Sequence, residues 1–155
     1  MSKADELAAK LKQTRLTGTD QAIDAWPGQV YELYQRIEHW LLPLTEAGLV
    51  LRRNATHVFE SHPYGDAYDY AIDQLLITGN KRSLTLDPVA RFTTDGEGRV
   101  EIHSAGNEYA LLRTVDEHGE THWWLQTIEQ ATVQLDAVAL TESDLLLVVQ
   151  QGLAL

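Results

Sequence analysis

Three observations predict an α+β fold. Apolar residues recur at helical spacing only near the two ends of the 155-residue chain. Between those ends they alternate with a period of two, in short runs broken by turn residues. The helical stripe that precedes the strands is long enough to cover one face of a sheet. The expected architecture is two N-terminal helices, an antiparallel β-meander of about five to seven strands packed on the second helix, and a short C-terminal helix. One domain spanning 1–155 suits this length, with 1–18 as a peripheral N-terminal helix.

The first helix is read over 2–15. Leu7 and Leu11 lie one turn apart, Ala4 and Ala8 beside them, and charged residues fill the rest, so the apolar stripe is thin. Gly18 is expected to end it. Trp26-Pro27 is expected to open the second helix, because proline suits the first helical position and Asp24 just upstream suits the helix dipole. Val30, Leu33, Tyr34, Ile37, Leu41 and Leu44 form its stripe. Pro43 predicts a kink or an early end, and Gly48 a C-terminal cap.

From Leu49 the period changes to two, and a strand runs to Phe59. Residues 60–69 read as a loop from their Pro, Gly and Asp content. Strand-like runs follow at 70–78, 82–86, 89–92, 99–103, 109–115 and 121–128, with 131–136 as one more strand or an extended connection. Gly79-Asn80 has the chemistry of a two-residue hairpin turn, and residues 95–98 and 116–119 are further hairpin turns. Thr141 is an N-cap with Asp144 three residues on, in the manner of a capping box, and Gly152 closes the last helix. Trp123 and Trp124, adjacent on a strand, are expected to face opposite sides of the sheet.

The segments LTLDPVARFTTDGEGRVEI (84–102), YELYQRIEHWLLPLTEAGLV (31–50) and LTESDLLLVV (140–149) resemble a pattern in small uncharacterised bacterial α+β proteins. In that pattern a helix ending in a tryptophan-leucine pair precedes a strand, a proline turn and a Gly-Arg-Val strand. The resemblance covers roughly 28–150 and implies a similar α+β fold. It implies no catalytic residues. Gly98-Arg99-Val100 also has a purely structural reading, with Gly for the turn, Val for the sheet and Arg for a carboxylate partner.

Composition narrows the function classes. The hydrophobic share of 44 %, with 4 Trp, 6 Tyr and 2 Phe, suits a folded globule. With no cysteine, disulfides, Cys-ligated zinc, Fe–S clusters and thiol nucleophiles are excluded. Met1 to Arg15 carries charge throughout and has no central apolar run, which argues against a secretory signal. The longest apolar stretch, 145–149, is far too short to cross a membrane. A soluble, cytoplasmic protein is the expectation.

The net charge of −11 is uneven. Residues 1–15 hold four basic and two acidic side chains, whereas 61–155 hold five basic and fifteen acidic. Acid on that scale repels phosphate backbones, so direct nucleic-acid binding is not expected and a basic protein partner is. Ordinary solubility explains the same charge. No P-loop is present, and the glycine-rich TDGEGRV carries acids that would repel phosphate. The serines lack a nucleophile elbow.

Candidate site residues concentrate in 57–73. Tyr64, Asp66, Tyr68, Asp69 and Asp73, with Tyr70 among them, have the composition of a recognition surface, since tyrosine supplies contact area at low entropy cost. The same stretch offers a His/carboxylate metal set of His57, Glu60, His62, Asp66 and Asp69. In an extended strand Glu60 and His62 would share a side and His57 would oppose them. That spacing matches no known metal motif.

The leading expectation is a non-catalytic protein-interaction module, an inhibitor, immunity-type or adaptor protein, without a cofactor. The alternative is a small metal-dependent hydrolase built on the 57–69 cluster. A nucleic-acid mimic is a third reading, and a homodimer through the thin first helix is a further candidate association.

Overall fold

The computed structural model describes residues 2–15, 18–62, 65–94, 96–128 and 137–155. Four helices and seven strands follow in the order α1 (Lys3–Arg15), α2 (Gly18–Trp40), α3 (Leu42–Glu46), β1 (Val50–Ser61), β2 (Ala67–Gly79), β3 (Arg82–Ala90), β4 (Arg99–Ser104), β5 (Asn107–Val115), β6 (Thr121–Ile128), β7 (Val138–Ala139) and α4 (Glu142–Gly152). The strands form one antiparallel sheet in sequence order, β1 to β7. The class is α+β, with a helical N-terminus, a meander and a closing helix. The strand expected at 131–136 lies outside the described residues.

Helix α2 carries the core. Ile23, Trp26, Val30, Leu33, Tyr34 and Ile37 are buried along one face, with Leu41 just past its end, and all but Ile23 share a core with Ile72, Leu75, Ile77, Leu84, Leu86, Ile102 and Leu111 of the sheet. Helix α4 adds Leu145, Val148 and Val149 to the same core. Its close approach is set by Gly152, where a Cβ would meet Leu84 Cδ2 at 2.5 Å. By contrast, the described side chains of α1 are all exposed, Leu7 included.

Helix α2 begins at Gly18, eight residues before the expected start at Trp26, and Pro27 lies inside it. Proline in a helix interior costs about 3 kcal/mol, because it cannot donate to the carbonyl four residues back. Burying Ile23 and Trp26 returns roughly 1.5–3 kcal/mol each. The extra turns therefore persist through the proline. At the other end, Pro43 behaves as expected: α2 stops at Trp40 and Pro43 sits in the first turn of α3. Gly48, with φ of 113°, follows α3, and the next amide, Leu49 N–H, bonds to Leu44 O at 2.9 Å.

Three strand boundaries also differ from expectation. The runs at 82–86 and 89–92 are one strand, β3, ending at Ala90, with a register shift against β4 between Pro88 and Ala90. A bulge is where a sheet tolerates a proline, so Pro88 interrupts the ladder without ending the strand. The hairpin after β2 turns at Asn80-Lys81, which have φ of 51° and 60° as a type I′ turn requires, and not at Gly79-Asn80. Gly79 is the last paired residue of β2, opposite Arg82, and a Cβ there would meet Leu49 Cδ1 at 2.8 Å. Asn80 Nδ2 donates to Leu153 O at 2.7 Å, tying the turn to the end of α4. Both ends of the loop expected at 60–69 are strand, since β1 runs to Ser61 and β2 starts at Ala67. Polar outer-face residues there hid a two-residue period.

The tryptophan pair divides as expected. Trp123 is buried and stacks on Trp26 with ring centroids 6.2 Å apart, while Trp124 on the other face donates its Nε1–H to Thr114 Oγ1 at 2.8 Å. Thr141 caps α4, accepting from Asp144 N–H at 3.2 Å.

Candidate functional site

β1 and β2 are paired along their whole length, from Val50↔Thr78 to Ser61↔Ala67. β3 pairs with β2 only from Leu75 to Gly79. The distal half of the β1–β2 hairpin therefore continues past β3 as a two-stranded ribbon. Where β3 is lost, tyrosines of α2 replace it. Tyr31 Oη accepts the Asp73 N–H at 3.0 Å, and Tyr34 Oη–H donates to Asp73 O at 2.8 Å. Burial pushes the Tyr34 hydroxyl far above its ordinary pKa, so it stays a donor. The buried positions of β2 are Ile72, then Leu75 and Ile77, so the in–out alternation changes phase beside this anchor.

The inner face of the ribbon is closed by Glu60. Its carboxylate accepts Arg91 N–H at 2.9 Å, Phe92 N–H at 3.0 Å and the Tyr70 hydroxyl. Burial and then the Glu60 hydrogen bond push the Tyr70 pKa well up. Tyr68 also turns inward. Its hydroxyl donates to Asp20 Oδ1 at 3.0 Å and its ring lies 5.8 Å from that of Phe92, on which the His62 ring stands edge-on at 4.7 Å. The expected tyrosine-bearing surface is thus an interior seam at Tyr68 and Tyr70. The even positions of β2 in this stretch face α2 and the 91–92 segment, and the hydroxyls need partners once half-buried. Tyr64 lies outside the described residues. Asp73 is half-buried beside α2.

The outer face carries the exposed groups. Phe59 is 77 % exposed, the most exposed of the large apolar side chains among the described residues. Directly across the ladder from it stands Asp69, whose Oδ1 lies 3.1 Å from His57 Nδ1. Asp66 is exposed in the turn, where its carbonyl accepts the His62 N–H at 2.7 Å. Phe59, Ser61, Ala67 and Asp69 border a shallow cleft with Tyr68 and Glu60. Phe59 is the residue that sequence reasoning missed. The signal for it was the alternation in HVFES: with Val58 inward and Glu60 on the same side, Phe59 had to face out.

The metal set divides along the same line. Glu60 and His62 lie on the inner side and His57 on the outer, as an extended strand requires. No three of His57, Glu60, His62, Asp66 and Asp69 bring ligand atoms within 4.8 Å of one another. One such group exists among the described residues, Asp116, Glu120 and His122 at the β5–β6 turn. Its geometry is already explained by the turn. Asp116 Oδ1 accepts the N–H groups of His118 and Glu120 at 2.9 Å each, and Oδ2 lies 2.9 Å from His122 Nε2. The His122 hydrogen bond, then that of the Glu120 amide, holds the Asp116 carboxyl below the usual range. On the outer face of β4, Glu101 pairs with Arg99 at 3.0 Å and lies 3.7 Å from His103.

Among the described residues no helix is long and apolar enough to cross a membrane. In comparisons with known proteins, no family model, no curated protein and no solved structure matches the chain.

Proposed function

We propose that this protein is a non-catalytic interaction module, of the inhibitor, immunity or adaptor kind, acting in the cytoplasm on a basic partner protein. The observation that carries the reading is the exposed Phe59 ring on the outer face of the β1–β2 ribbon, with Asp69 directly across the ladder and Asp66 in the turn beyond. An aromatic ring held out on a strand loses little entropy on docking and suits the centre of an interface. Carboxylates around it favour Lys or Arg on the partner and speed the encounter. β1, 12 residues long, is also a terminal strand of the sheet among the described residues, and an edge strand can pair with a partner's backbone. The acidic 61–155 segment supplies a long-range field of matching sign.

The test uses wild type and Phe59→Ser, each immobilised and exposed to source lysate at low and high salt. The reading expects a basic protein retained by wild type, released by salt and lost from the variant. The same proteins on both columns would remove Phe59 from the interface.

A further inference from the structure

We propose that the basic partner presents an extended segment of about seven residues, which adds as a strand to the outer edge of β1 between Ala55 and Ser61. Given a basic partner docking at Phe59, on which this inference rests, the recognised element is a strand. Among the described residues β1 pairs with β2 on one side and ends the sheet on the other.

The ladder decides which backbone groups face that free edge. In an antiparallel pair a residue turns its N–H and C=O to the same side, and successive residues alternate. Asp73 turns both groups away from β1, since its N–H meets Tyr31 Oη at 3.0 Å and its C=O meets Tyr34 Oη at 2.8 Å. Ala55, its partner in the register, therefore turns both groups away from β2. The register runs from Ala55↔Asp73 to Ser61↔Ala67 without a shift, so His57, Phe59 and Ser61 do the same. The hairpin end agrees. His62 N–H bonds to Asp66 O at 2.7 Å, which puts the even residues Thr56, Val58 and Glu60 on the bonded side. Ala55, His57, Phe59 and Ser61 are all exposed. Among the described residues no hydrogen bond covers their outward groups.

Open ladders elsewhere in the sheet are closed. Where β3 leaves β2, two tyrosines of α2 take up the groups of Asp73. At the opposite edge of the described sheet, β7 is only two residues long. β1 is long and uncapped, and 50–61 holds no proline, no lysine and no bulge of the kind that guards an edge. Arg52 and Arg53 stand at its base, Arg53 held by Glu38 at 3.0 Å, so a basic segment stops short of them and the open stretch is 55–61.

Charge selects the occupant. Asp66 and Asp69 are exposed beside this stretch. A second copy would set a net charge of −11 against −11. A segment with Lys or Arg at alternate positions instead lays its cations beside the Phe59 ring, on the face that carries Asp69 directly across the ladder.

The test uses isotope-labelled full-length protein and a peptide of alternating lysine and threonine, blocked at both ends and as long as 55–61. One control peptide replaces lysine by glutamate. Another keeps the lysines and has every amide N-methylated. Ala55→Pro is titrated alongside, because it removes an outward N–H and no bond to β2, a place where an edge strand tolerates proline. Pairing predicts saturable binding of the lysine peptide at millimolar concentrations or below, and none of the glutamate peptide. The midpoint rises about tenfold or more for the N-methylated peptide, and about fivefold or more in Ala55→Pro from loss of a hydrogen bond. In wild type, amide exchange slows at His57, Phe59 and Ser61 on saturation and is unchanged at Val58 and Glu60, which are already bonded. That readout decides if Ala55→Pro does not fold. Equal midpoints for the lysine and N-methylated peptides, or no slowing at His57, Phe59 and Ser61, would overturn strand addition and leave basic docking at Phe59 standing. Lysine and glutamate peptides that bind alike would remove the basic partner itself. No saturable binding of the lysine peptide, or a wild-type dimer in sedimentation that Ala55→Pro abolishes, would also overturn strand addition by a basic segment.

Discussion

Glu60 and Arg113 are both inward-facing charged residues near the α2 side of the sheet, and they are treated in opposite ways. Arg91 lies between them, its amide bonded to Glu60 and its guanidinium close enough to Arg113 to disfavour the second positive charge. Glu60 has a donor for each role its carboxylate can play: two amides and a phenol. Among the described residues Arg113 has two of five donors used and no carboxylate in ion-pair range, although the charges of Glu97 and Glu32 favour it from further off. A saturated half-buried carboxylate holds structure together, whereas the buried Arg113 keeps an Nε without a hydrogen bond. The contrast separates the inner seam of the ribbon, where every group of Glu60 is engaged, from the sheet face toward α2 at β5, where a buried guanidinium is only partly engaged.

The largest effect is expected at Glu60. Glu60→Ala strands two amides and the Tyr70 hydroxyl at once. We expect a loss of about 3 kcal/mol, seen as a fall in Tm of roughly 6–12 °C. A loss below about 1 kcal/mol would mean the three bonds do not organise the 91–92 segment.

Next is Gly98→Ala. A Cβ would lie 2.5 Å from Trp26 Cη2, and φ is 145°, a backbone region that L residues rarely adopt. Ring and backbone strain together predict a loss of about 2–3 kcal/mol by chemical unfolding. Arg113→Met sharpens the comparison from the other side. It removes two hydrogen bonds but also relieves a desolvated charge and its repulsion from Arg91, so stability should change by no more than about 1 kcal/mol. A loss as large as that of Glu60→Ala would make Arg113 a structural charge like Glu60.

The smallest effect belongs to the β5–β6 turn. Asp116 is held below the ordinary carboxyl pKa, so its contribution to the turn is present above about pH 3.9 and is lost as pH falls through its lower folded value. The group belongs to a surface turn, so no change in global stability is attached to it. The check is its carboxyl resonance in an NMR titration, with a midpoint below that of a free aspartate. A midpoint at or above the free value would mean the His122 and amide hydrogen bonds are not kept in solution.

Much of this fold is legible in the sequence. The stripe Val30, Leu33, Tyr34, Ile37, Leu41 is a strong periodic signal, and the cap at Thr141 is local chemistry. Pro27 and Pro88 were misleading for a shared reason. Each breaks a local rule that tertiary burial or a bulge overrides, and a single sequence does not reveal what lies across the core. The site was legible in part. The stretch 57–69 does form an exposed, acid-bearing structure, but Tyr68 and Tyr70 turn inward because their partners, Asp20 and Glu60, lie 48 and 10 residues away. Arg113 carried no sequence signal. Only the register against Trp123 shows that it points into the protein.

Phe59 is the side chain on which the proposed partner binding turns. The decisive measurement is the affinity of the salt-released basic protein for wild type and for Phe59→Ser, taken alongside the Tm of both. An exposed side chain leaves stability within about 0.5 kcal/mol, while a central aromatic anchor costs about 2 kcal/mol or more in binding. An unchanged Tm with affinity weakened roughly thirtyfold is the predicted result. Equal affinity of the two proteins for that partner would contradict the account.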